Sequence, residues 1–337
     1  MGINKIIASI WVGLSLLTSC SDDVSSGGIS GNESVITFRL GVPPGDEISY
    51  TRAGTIQDET EWGINKLKVY DFIVTGDTLL SSVQILEKTT VANPQAGFFT
   101  SNAGGGTARL SIPATIGSKH VFVFVANEET TRFDSIMQLN ISSIDELRKS
   151  PSSRYLKNGE SCSALALNGF VMTGKTGIET ITGDLTCKVA LQRIVARVDV
   201  VNNVPAEKNF KMKSISIKNC SPTGYLFERG SDKSLTAEQW DYKSPVSQTQ
   251  NTNVSMEGVI TGGTCKKALY LYEYLQARGD APVLLLSYTL NGSENSIPIS
   301  MEGFDIKRNR LYTLQIGDVS NSISNRMEYS LTEKIPH

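Results

Sequence analysis

The sequence predicts an all-β protein made of two sandwich-like domains, on three observations. Short apolar or alternating segments recur from residue 35 to residue 316 with polar loops between them, a pattern typical of β-sandwiches. Only one credible helix start occurs. The 337 residues are 39% hydrophobic and 20% charged, enough for about two domains with apolar cores. Because a new block of strands begins near Thr186, we expect the domain boundary near residue 185.

The first twenty residues have the pattern of a lipoprotein signal. Lys5 precedes one apolar run, Ile6–Leu17, which is shorter than the roughly 20 residues of a membrane span and typical of a secretion signal. Leu17-Thr18-Ser19-Cys20 then forms a lipoprotein processing box. We expect residues 1–19 to be removed and Cys20 to be lipidated. An ordinary thiol beside an ordinary signal-peptidase site is the alternative.

The segment after Cys20 predicts a strand that is placed first and removed later. A polar, Gly/Ser-rich tether leads into Val35–Val42, whose alternation is that of a half-buried strand. Its inward side chains are Ile36, Phe38, Leu40 and Val42. Thr51-Arg52-Ala53 follows, a basic bond in polar surroundings that a protease could cut between Arg52 and Ala53. Residues 20–52 are therefore predicted to be a tether plus a removable strand. A permanent first strand with a surface arginine is the alternative.

Three local patterns give detail to the predicted domains. His120–Asn127 is apolar on both faces and predicts a central strand covered on both sides. Ser143–Glu146 has the form of a capping box, which predicts one short helix to about Lys149 in the first domain. Alternate residues are predicted to face inward in Cys187–Leu191 and in Ile194–Val200, but the two alternations are out of step by one residue. We therefore expect a β-bulge near Gln192-Arg193.

Four further cysteines favour buried thiols over disulfides. Their number is even and an exported chain permits bridges, but their spacings are wide and irregular. Free cysteine is a common core residue, and no CxxC pair suggests zinc. The four are Cys162, Cys187, Cys220 and Cys265.

Most catalytic and nucleic-acid-binding classes lack support in the sequence. A net charge of −2 provides no basic face for nucleic acid. Only His120 and His337 could serve a Ser-His-Asp or Cys-His site, and neither is well placed. No metal or cofactor motif occurs. Arg278-Gly279-Asp280 spells a tripeptide that some integrins bind, and a hairpin turn is the favoured reading. We expect a protein that is not an enzyme and has no cofactor.

Several motifs together resemble one known family along nearly the whole mature chain. The motifs occur at the spacing and in the order typical of that family, and the whole set is more specific than any single motif. The chain resembles the fimbrillins, the major fimbrial subunit family of outer-membrane lipoproteins that build type V pili. The motifs are Leu17–Cys20, Thr51–Ala53, Leu67–Phe72, Phe170–Gly174, Leu191–Val198, Leu269–Glu273 and Lys307–Leu314.

The resemblance implies two transthyretin-like Greek-key β-sandwiches in tandem, over residues 53–185 and 186–337. It implies export to the outer membrane through a lipid such as palmitate at Cys20, with Ser21-Asp22-Asp23 as the surface-directing signal. An arginine-specific protease would then cut after Arg52. Removal of the first strand would open a groove that a neighbouring subunit's strand fills. The implied partners are other fimbrial subunits, that protease and a host-cell or bacterial receptor.

The C-terminus departs from the family's stalk subunits, which carry a long C-terminal extension, often with a tryptophan. Here only Gly317–His337 follows the strand Asn309–Ile316, and this tail contains no tryptophan. This tail either caps its own domain or acts as the donor strand, which leaves a stalk and a tip or accessory position both open. A surface glycan-binding lipoprotein is the alternative function. The inward residues of the tail would be Met327, Tyr329, Leu331 and Ile335.

The predicted lipid anchor can be tested by removing the thiol of Cys20. Cys20→Ala removes the thiol that would carry the lipid, so we expect loss of lipid labelling and retention of the precursor short of the outer membrane. Metabolic labelling with a fatty-acid analogue, followed by cell fractionation, measures both effects. Normal surface placement of Cys20→Ala protein would contradict the prediction.

Overall fold

In this computed structural model the described residues form β-sheets almost throughout. They are 33–41, 63–102, 105–113, 116–128, 143–144, 147, 169–218, 220, 224–227, 250–251, 262–273, 282–302, 305–319 and 327–334. Within these ranges the one complete helical element is a 3-10 turn, Ala206–Lys208, and no helix is long and apolar enough to cross a membrane. The all-β prediction is therefore confirmed.

The first ten strands build two facing sheets. Sheet 1 has the order β4-β5-β1-β9, and sheet 2 has the order β3-β2-β6-β7-β10 with β8 also beside β6. β3 continues from sheet 2 into sheet 1, where its last two residues pair with β4. The strands are β1 Glu33–Gly41, β2 Leu67–Val74, β3 Thr78–Lys88, β4 Phe98–Asn102, β5 Gly105–Pro113, β6 Lys119–Ala126, β7 Met172–Lys175, β8 Glu179–Thr180, β9 Leu185–Ala190 and β10 Gln192–Arg193.

The other eight strands build a second pair of sheets. Sheet 3 has the order β14-β11-β17-β18 and sheet 4 the order β13-β12-β15-β16. The strands are β11 Val195–Asn202, β12 Phe210–Lys218, β13 Gln250–Asn251, β14 Thr264–Tyr272, β15 Val283–Leu290, β16 Ser293–Ser300, β17 Leu311–Val319 and β18 Met327–Lys334.

The two pairs of sheets repeat one topology. β1 lies between an antiparallel β5 and a parallel β9, and β11 lies in the same way between an antiparallel β14 and a parallel β17. The opposing sheets match too, because the antiparallel ladder β3-β2-β6-β7 corresponds to β13-β12-β15-β16. β18 is an addition at the free edge of β17. The sequence shows no repeat of fixed period, so this duplication is visible only in the strand pairing.

Sheet 2 is covered on both faces, which explains its unbroken apolar strands. In β6, Phe122 and Phe124 lie in the core shared with sheet 1, whereas Val121 and Val123 lie in the core continuous with sheets 3 and 4. A strand buried on both sides needs apolar residues at every position rather than at alternate ones. The prediction of a central strand over His120–Asn127 is thereby confirmed for β6.

The alternation of inward-facing residues shifts near residue 192 because the chain passes from one sheet to another there, and not because of the expected bulge. β9 pairs with β1 in sheet 1, β10 pairs with β7 in sheet 2, and β11 enters sheet 3. Leu191 therefore faces the first core and Ile194 the second. The strands of the second pair of sheets begin with β11 at Val195, whereas β9 still pairs with β1. The domain boundary near residue 185 stays a prediction.

The expected short helix falls mostly on residues outside the described ranges. Of Ser143–Lys149, the structure describes Ser143, Ile144 and Leu147. The Leu147 amide donates a hydrogen bond to the Ser143 carbonyl at 3.3 Å. No complete helical segment can be assigned there within the described residues.

The contribution of β1 to the first core can be measured in the uncut chain. Phe38 is fully buried, so Phe38→Ala should destabilise the protein by about 3–5 kcal/mol through lost burial and a residual cavity. Arg39→Ala, on the exposed face of the same strand, is the control and should change stability by less than about 0.5 kcal/mol. Urea unfolding gives both values. Equal stability of the two variants would show that β1 does not contribute to the folded core.

Candidate functional site

The first strand occupies an interior position in sheet 1, and this is the feature on which the predicted function depends. Its ladder runs from Glu33 to Gly41 along antiparallel β5 and from Ile36 to Gly41 along parallel β9. Without β1, two strands that are not neighbours would border an open slot one strand wide. Backbone N–H and C=O groups on both borders would then lose their partners.

The inward side chains of β1 form the centre of the first core. Ile36, Phe38 and Leu40 are all buried, as the alternation predicts, and the Phe38 ring contacts two rings of β6 edge-on. Its centroid lies 5.0 Å from that of Phe122 and 4.8 Å from that of Phe124. Such edge-to-face pairs add to the free energy of area burial. β1 is thus integral to the core and is not a loosely attached edge.

Polar contacts fix both ends of β1. The Val35 amide donates to the Asp184 carboxylate at 2.8 Å, and the Ser111 hydroxyl donates to the Glu33 carboxylate at 2.6 Å. At the other end, the Leu191 amide donates to the Gly41 carbonyl at 2.7 Å. These contacts set the register of β1 against strands that come from distant parts of the chain.

One end of the β1 site requires glycine in β5. A Cβ added to Gly105 would lie 2.3 Å from the Leu40 carbonyl oxygen, and a Cβ added to Gly106 would lie 2.0 Å from that of Thr100. Neither distance can be tolerated without movement of the backbone. The closely packed backbones of β1, β5 and β4 therefore explain two residues of the Gly104–Gly106 run, which composition indicates only as a loop.

The C-terminal strand lies on its own chain in this structure. β18 pairs with β17, so that Leu331 is opposite Leu314 and Tyr329 is opposite Ile316. Leu331 packs against the second core, whereas 42% of Tyr329 remains exposed. This arrangement is the self-capping alternative. It does not test whether the same strand can also be donated to a second chain.

A buried histidine makes a hydrogen-bonded relay that the sequence did not indicate. The His120 Nδ1 atom lies 2.6 Å from the Asp71 carboxylate, and its Nε2 atom lies 2.8 Å from the Ser118 hydroxyl. The expectation that His120 is badly placed for such an arrangement was wrong, because Asp71 faces it from the paired strand β2. The order Asp-His-Ser is that of a catalytic triad.

We interpret this relay as structural. Asp71 and His120 are buried between strands and satisfy each other's polar atoms, which burial in an apolar core requires. The His120 ring also stacks on Phe122 at 5.8 Å, and Phe122 is one of the rings beneath Phe38. The relay therefore supports the base of the β1 site.

Arg308 is a second buried polar residue with several hydrogen bonds. In the sequence it is marked only by its place in the Lys307–Leu314 motif. Its guanidinium donates to the carbonyls of Tyr225, Leu226 and Phe227, each at 2.9 Å. It also donates to Glu273 at 3.1 Å. One side chain thereby fixes an irregular segment against sheet 3, which explains an arginine in the Lys307–Leu314 motif.

The described cysteines are buried thiols, as favoured from the sequence. Cys187, Cys220 and Cys265 are buried and form no disulfide. Burial, and secondly the Asp199 carboxylate, raise the pKa of the Cys265 thiol above its ordinary value. A thiol in that state is a poor nucleophile. Within the described residues, no cluster of three histidine, cysteine or acidic side chains could hold a metal ion.

Several predicted site residues lie outside the described residues, and nothing is concluded about their structure. They include the lipidation and cleavage positions, one end of each predicted strand and the integrin-like tripeptide. They are Cys20, Val42, Arg52, Ala53, Cys162, Arg278–Asp280 and Ile335.

The fold is similar to those of solved structures of fimbrial and cell-adhesion proteins. The tip fimbrial protein Mfa3 from Porphyromonas gingivalis, with C-terminal truncation, is 15% identical, with 89% of this chain and 99% of that chain covered and a TM-score of 0.55. A candidate cell adhesion protein from Bacteroides eggerthii is also 15% identical, with coverages of 91% and 97% and a TM-score of 0.57.

A fimbrial assembly protein from Parabacteroides distasonis is 12% identical, with coverages of 90% and 98% and a TM-score of 0.51. No family model matches the sequence, and no curated protein matches it. At these identities the likeness establishes the fold. The predicted resemblance to fimbrial subunits is thus confirmed at the level of the fold.

The structural interpretation of the relay can be tested with two substitutions. Asp71→Ala leaves the buried imidazole without its acceptor and should cost about 1–3 kcal/mol, whereas Ser118→Ala, at a partly exposed residue, should cost less. Thermal or urea unfolding measures this difference. A fluorophosphonate probe provides the opposite test, because labelling of Ser118 that Asp71→Ala abolishes would identify an activated nucleophile and contradict our interpretation.

Proposed function

We propose that the protein is a structural or adhesive subunit of a cell-surface fimbria, exported as an outer-membrane lipoprotein and assembled by donor-strand exchange. The observation that carries the proposal is the interior position of β1 between β5 and β9. Because β1 pairs on both sides, its loss leaves two facing borders in sheet 1. The fold shared with fimbrial proteins supports this assignment.

The energetics of β1 favour a groove that must be filled. Full burial of Ile36, Phe38 and Leu40 contributes about 1.5–3 kcal/mol each, to which two hydrogen-bonded ladders are added. While β1 is covalently attached, no external strand can compete with it at ordinary concentrations. A cut after Arg52 makes β1 dissociable and leaves a groove that captures another strand. An uncut chain is therefore blocked, and a cut chain is competent to assemble.

The repeated strand topology supports two transthyretin-like domains in tandem. We place the division at residue 194, between β10 and β11, because β9 pairs with β1. In the second domain β11 is continuous with the preceding chain, whereas β1 follows only a tether. The same cut therefore empties the first domain alone.

The alternative of a glycan-binding lipoprotein finds no specific support. A carbohydrate platform would need several exposed aromatic side chains on one face. Among the described residues, the exposed large aromatics are Phe98 in β4 and Tyr329 in β18, which belong to different sheets. The position of the subunit, stalk or tip, follows from whether β18 can leave its own chain.

Cleavage after Arg52 is tested by exchanging the arginine for lysine and for alanine. Arg52→Lys should resist an arginine-specific protease but assemble after limited trypsin, whereas Arg52→Ala should assemble after neither, because β1 stays attached. SDS-resistant ladders and electron microscopy of filaments report assembly. Filaments from intact Arg52→Ala protein, at the rate of the natural chain, would contradict strand removal as the trigger.

A further inference from the structure

The outward face of sheet 1 carries three positively charged side chains close together. Arg39 of β1 lies opposite Lys188 of β9, and both side chains are exposed. Arg109 of β5 lies opposite Thr37 of β1, one row of outward residues further along. Strands are about 4.8 Å apart and alternate residues about 6.7 Å apart, so the three Cα atoms lie within about 12 Å of one another.

Threonine residues fill the other positions of this part of the face. Across β9, β1 and β5, one row reads Lys188, Arg39 and Thr107, and the next reads Thr186, Thr37 and Arg109. We call these six residues the basic surface. The Phe98 ring of β4, 40% exposed, lies beside it, because the neighbouring Gly97 amide donates to the Arg109 carbonyl at 2.9 Å. Cations, hydroxyl groups and one aromatic ring thus share one face of the sheet.

The three cations have no carboxylate partner among the described residues. None of them takes part in the ion pairs found there, and the buried Nε atom of Arg109 has no hydrogen-bond partner in that part of the chain. Glu33 and Asp184 lie at the opposite end of β1, where each already accepts a hydrogen bond, and Glu87 lies beyond β4. The positive charge of the basic surface is therefore not neutralised by the described strands.

This arrangement is unfavourable for the fold itself. Arg39 and Lys188 lie directly opposite each other on neighbouring strands, and like charges in that relation repel. Folded chains mostly depart from such local rules at functional sites, where something outside the fold compensates. An external anion would remove the repulsion between the two side chains and supply the missing partner of Arg109.

We propose that the basic surface binds an acidic polysaccharide, with carboxylate or sulfate groups of the sugar chain on Arg39, Lys188 and Arg109. The three charges are spread over about 12 Å, too far for one small anion to contact, so a chain with several anionic groups fits them better. Arginine binds such groups through paired hydrogen bonds. The threonine hydroxyls suit sugar hydroxyls, and Phe98 offers one apolar ring. A neutral glycan would depend on several such rings.

Resting on the proposed function, the same binding also holds the first strand in place. β1 supplies Thr37 and Arg39, the centre of both rows, so the basic surface is complete only while β1 lies between β5 and β9. A ligand that bridges Arg39 to Lys188 and Arg109 ties β1 to both neighbouring strands. Because linkage is reciprocal, loss of β1 weakens binding of the polysaccharide, and the polysaccharide favours retention of β1 after the cut.

Binding is measured on the uncut full chain by titration calorimetry with a heparin octasaccharide, and with a neutral oligosaccharide of equal length as the ligand control. We expect binding of the heparin octasaccharide alone, weakening as salt is added. Arg39→Gln/Lys188→Gln should weaken it about fivefold or more. Lys211→Gln/Lys218→Gln removes the same charge from exposed positions of β12 and should leave it unchanged.

Unfolding in urea separates a binding role from a structural one. Arg39→Gln/Lys188→Gln should be at least as stable as the natural chain, because it removes a repulsion. Equal weakening of binding by the two double variants would show unspecific charge attraction and overturn the proposal. Equal affinity for polyglutamate, or for vesicles of phosphatidylglycerol, would assign the surface to an acidic protein or a membrane and overturn it too.

The effect on β1 is measured after cleavage with an arginine-specific protease. The heparin octasaccharide should raise the fraction of the cut natural chain that retains the residue 20–52 peptide in size-exclusion chromatography, and should not do so for Arg39→Gln/Lys188→Gln. Equal retention with and without the sugar would overturn the coupling. Absence of binding to the uncut chain would overturn the whole inference and leave the proposed function intact. A cut chain that never releases β1, even without the sugar, would overturn the proposed function and the coupling, but not the binding.

Discussion

The pairing of β1 on both sides is the constraint on which the rest of the first sheet pair depends. Among the described strands, β5 and β9 are linked through β1, and the Phe38 ring packs edge-on against Phe122 and Phe124 of β6. A strand on the outside of a sheet can fray at modest cost, but an interior strand cannot leave without exposing two ladders and a core. This position in sheet 1 is therefore stable only while a strand occupies it, and in this structure the strand is β1.

The duplicated topology makes this property specific to one half of the molecule. β11 occupies in sheet 3 the position that β1 occupies in sheet 1, with the same parallel and antiparallel neighbours. However, β11 follows β10 directly in the chain, and its Val195 carbonyl accepts a hydrogen bond from the Asn309 amide at 2.9 Å, next to Arg308. β1 and β11 therefore have equivalent neighbours but different places in the chain, because β1 is the first of the described strands and β11 follows ten others. Within the described residues, β18 is the one strand of the second sheet pair that has no counterpart in the first.

Local sequence patterns did not predict a polar contact or a weakly marked strand when either depended on a partner far away in the chain. From the sequence, His120 is a histidine in an apolar strand with no visible partner. Its partner Asp71 is brought beside it only by the pairing of β2 with β6. β16 escaped sequence analysis because it is polar and contains Pro298, as an edge strand permits. The Asn291-Gly292 pair, with φ of 51° and 83°, was the available signal for its hairpin.

The sequence by itself determined the all-β class, the alternation that buries Ile36, Phe38 and Leu40, and the apolar character of β6 on both faces. These follow from side-chain periodicity, which is a local property of the chain. Only the tertiary structure decided which strands border β1, because Val35 and its partner Asp184 are 149 residues apart. It also decided that the chain changes sheets at residue 194. Strand pairing is chosen by the packing of whole sheets, and no short segment contains that information.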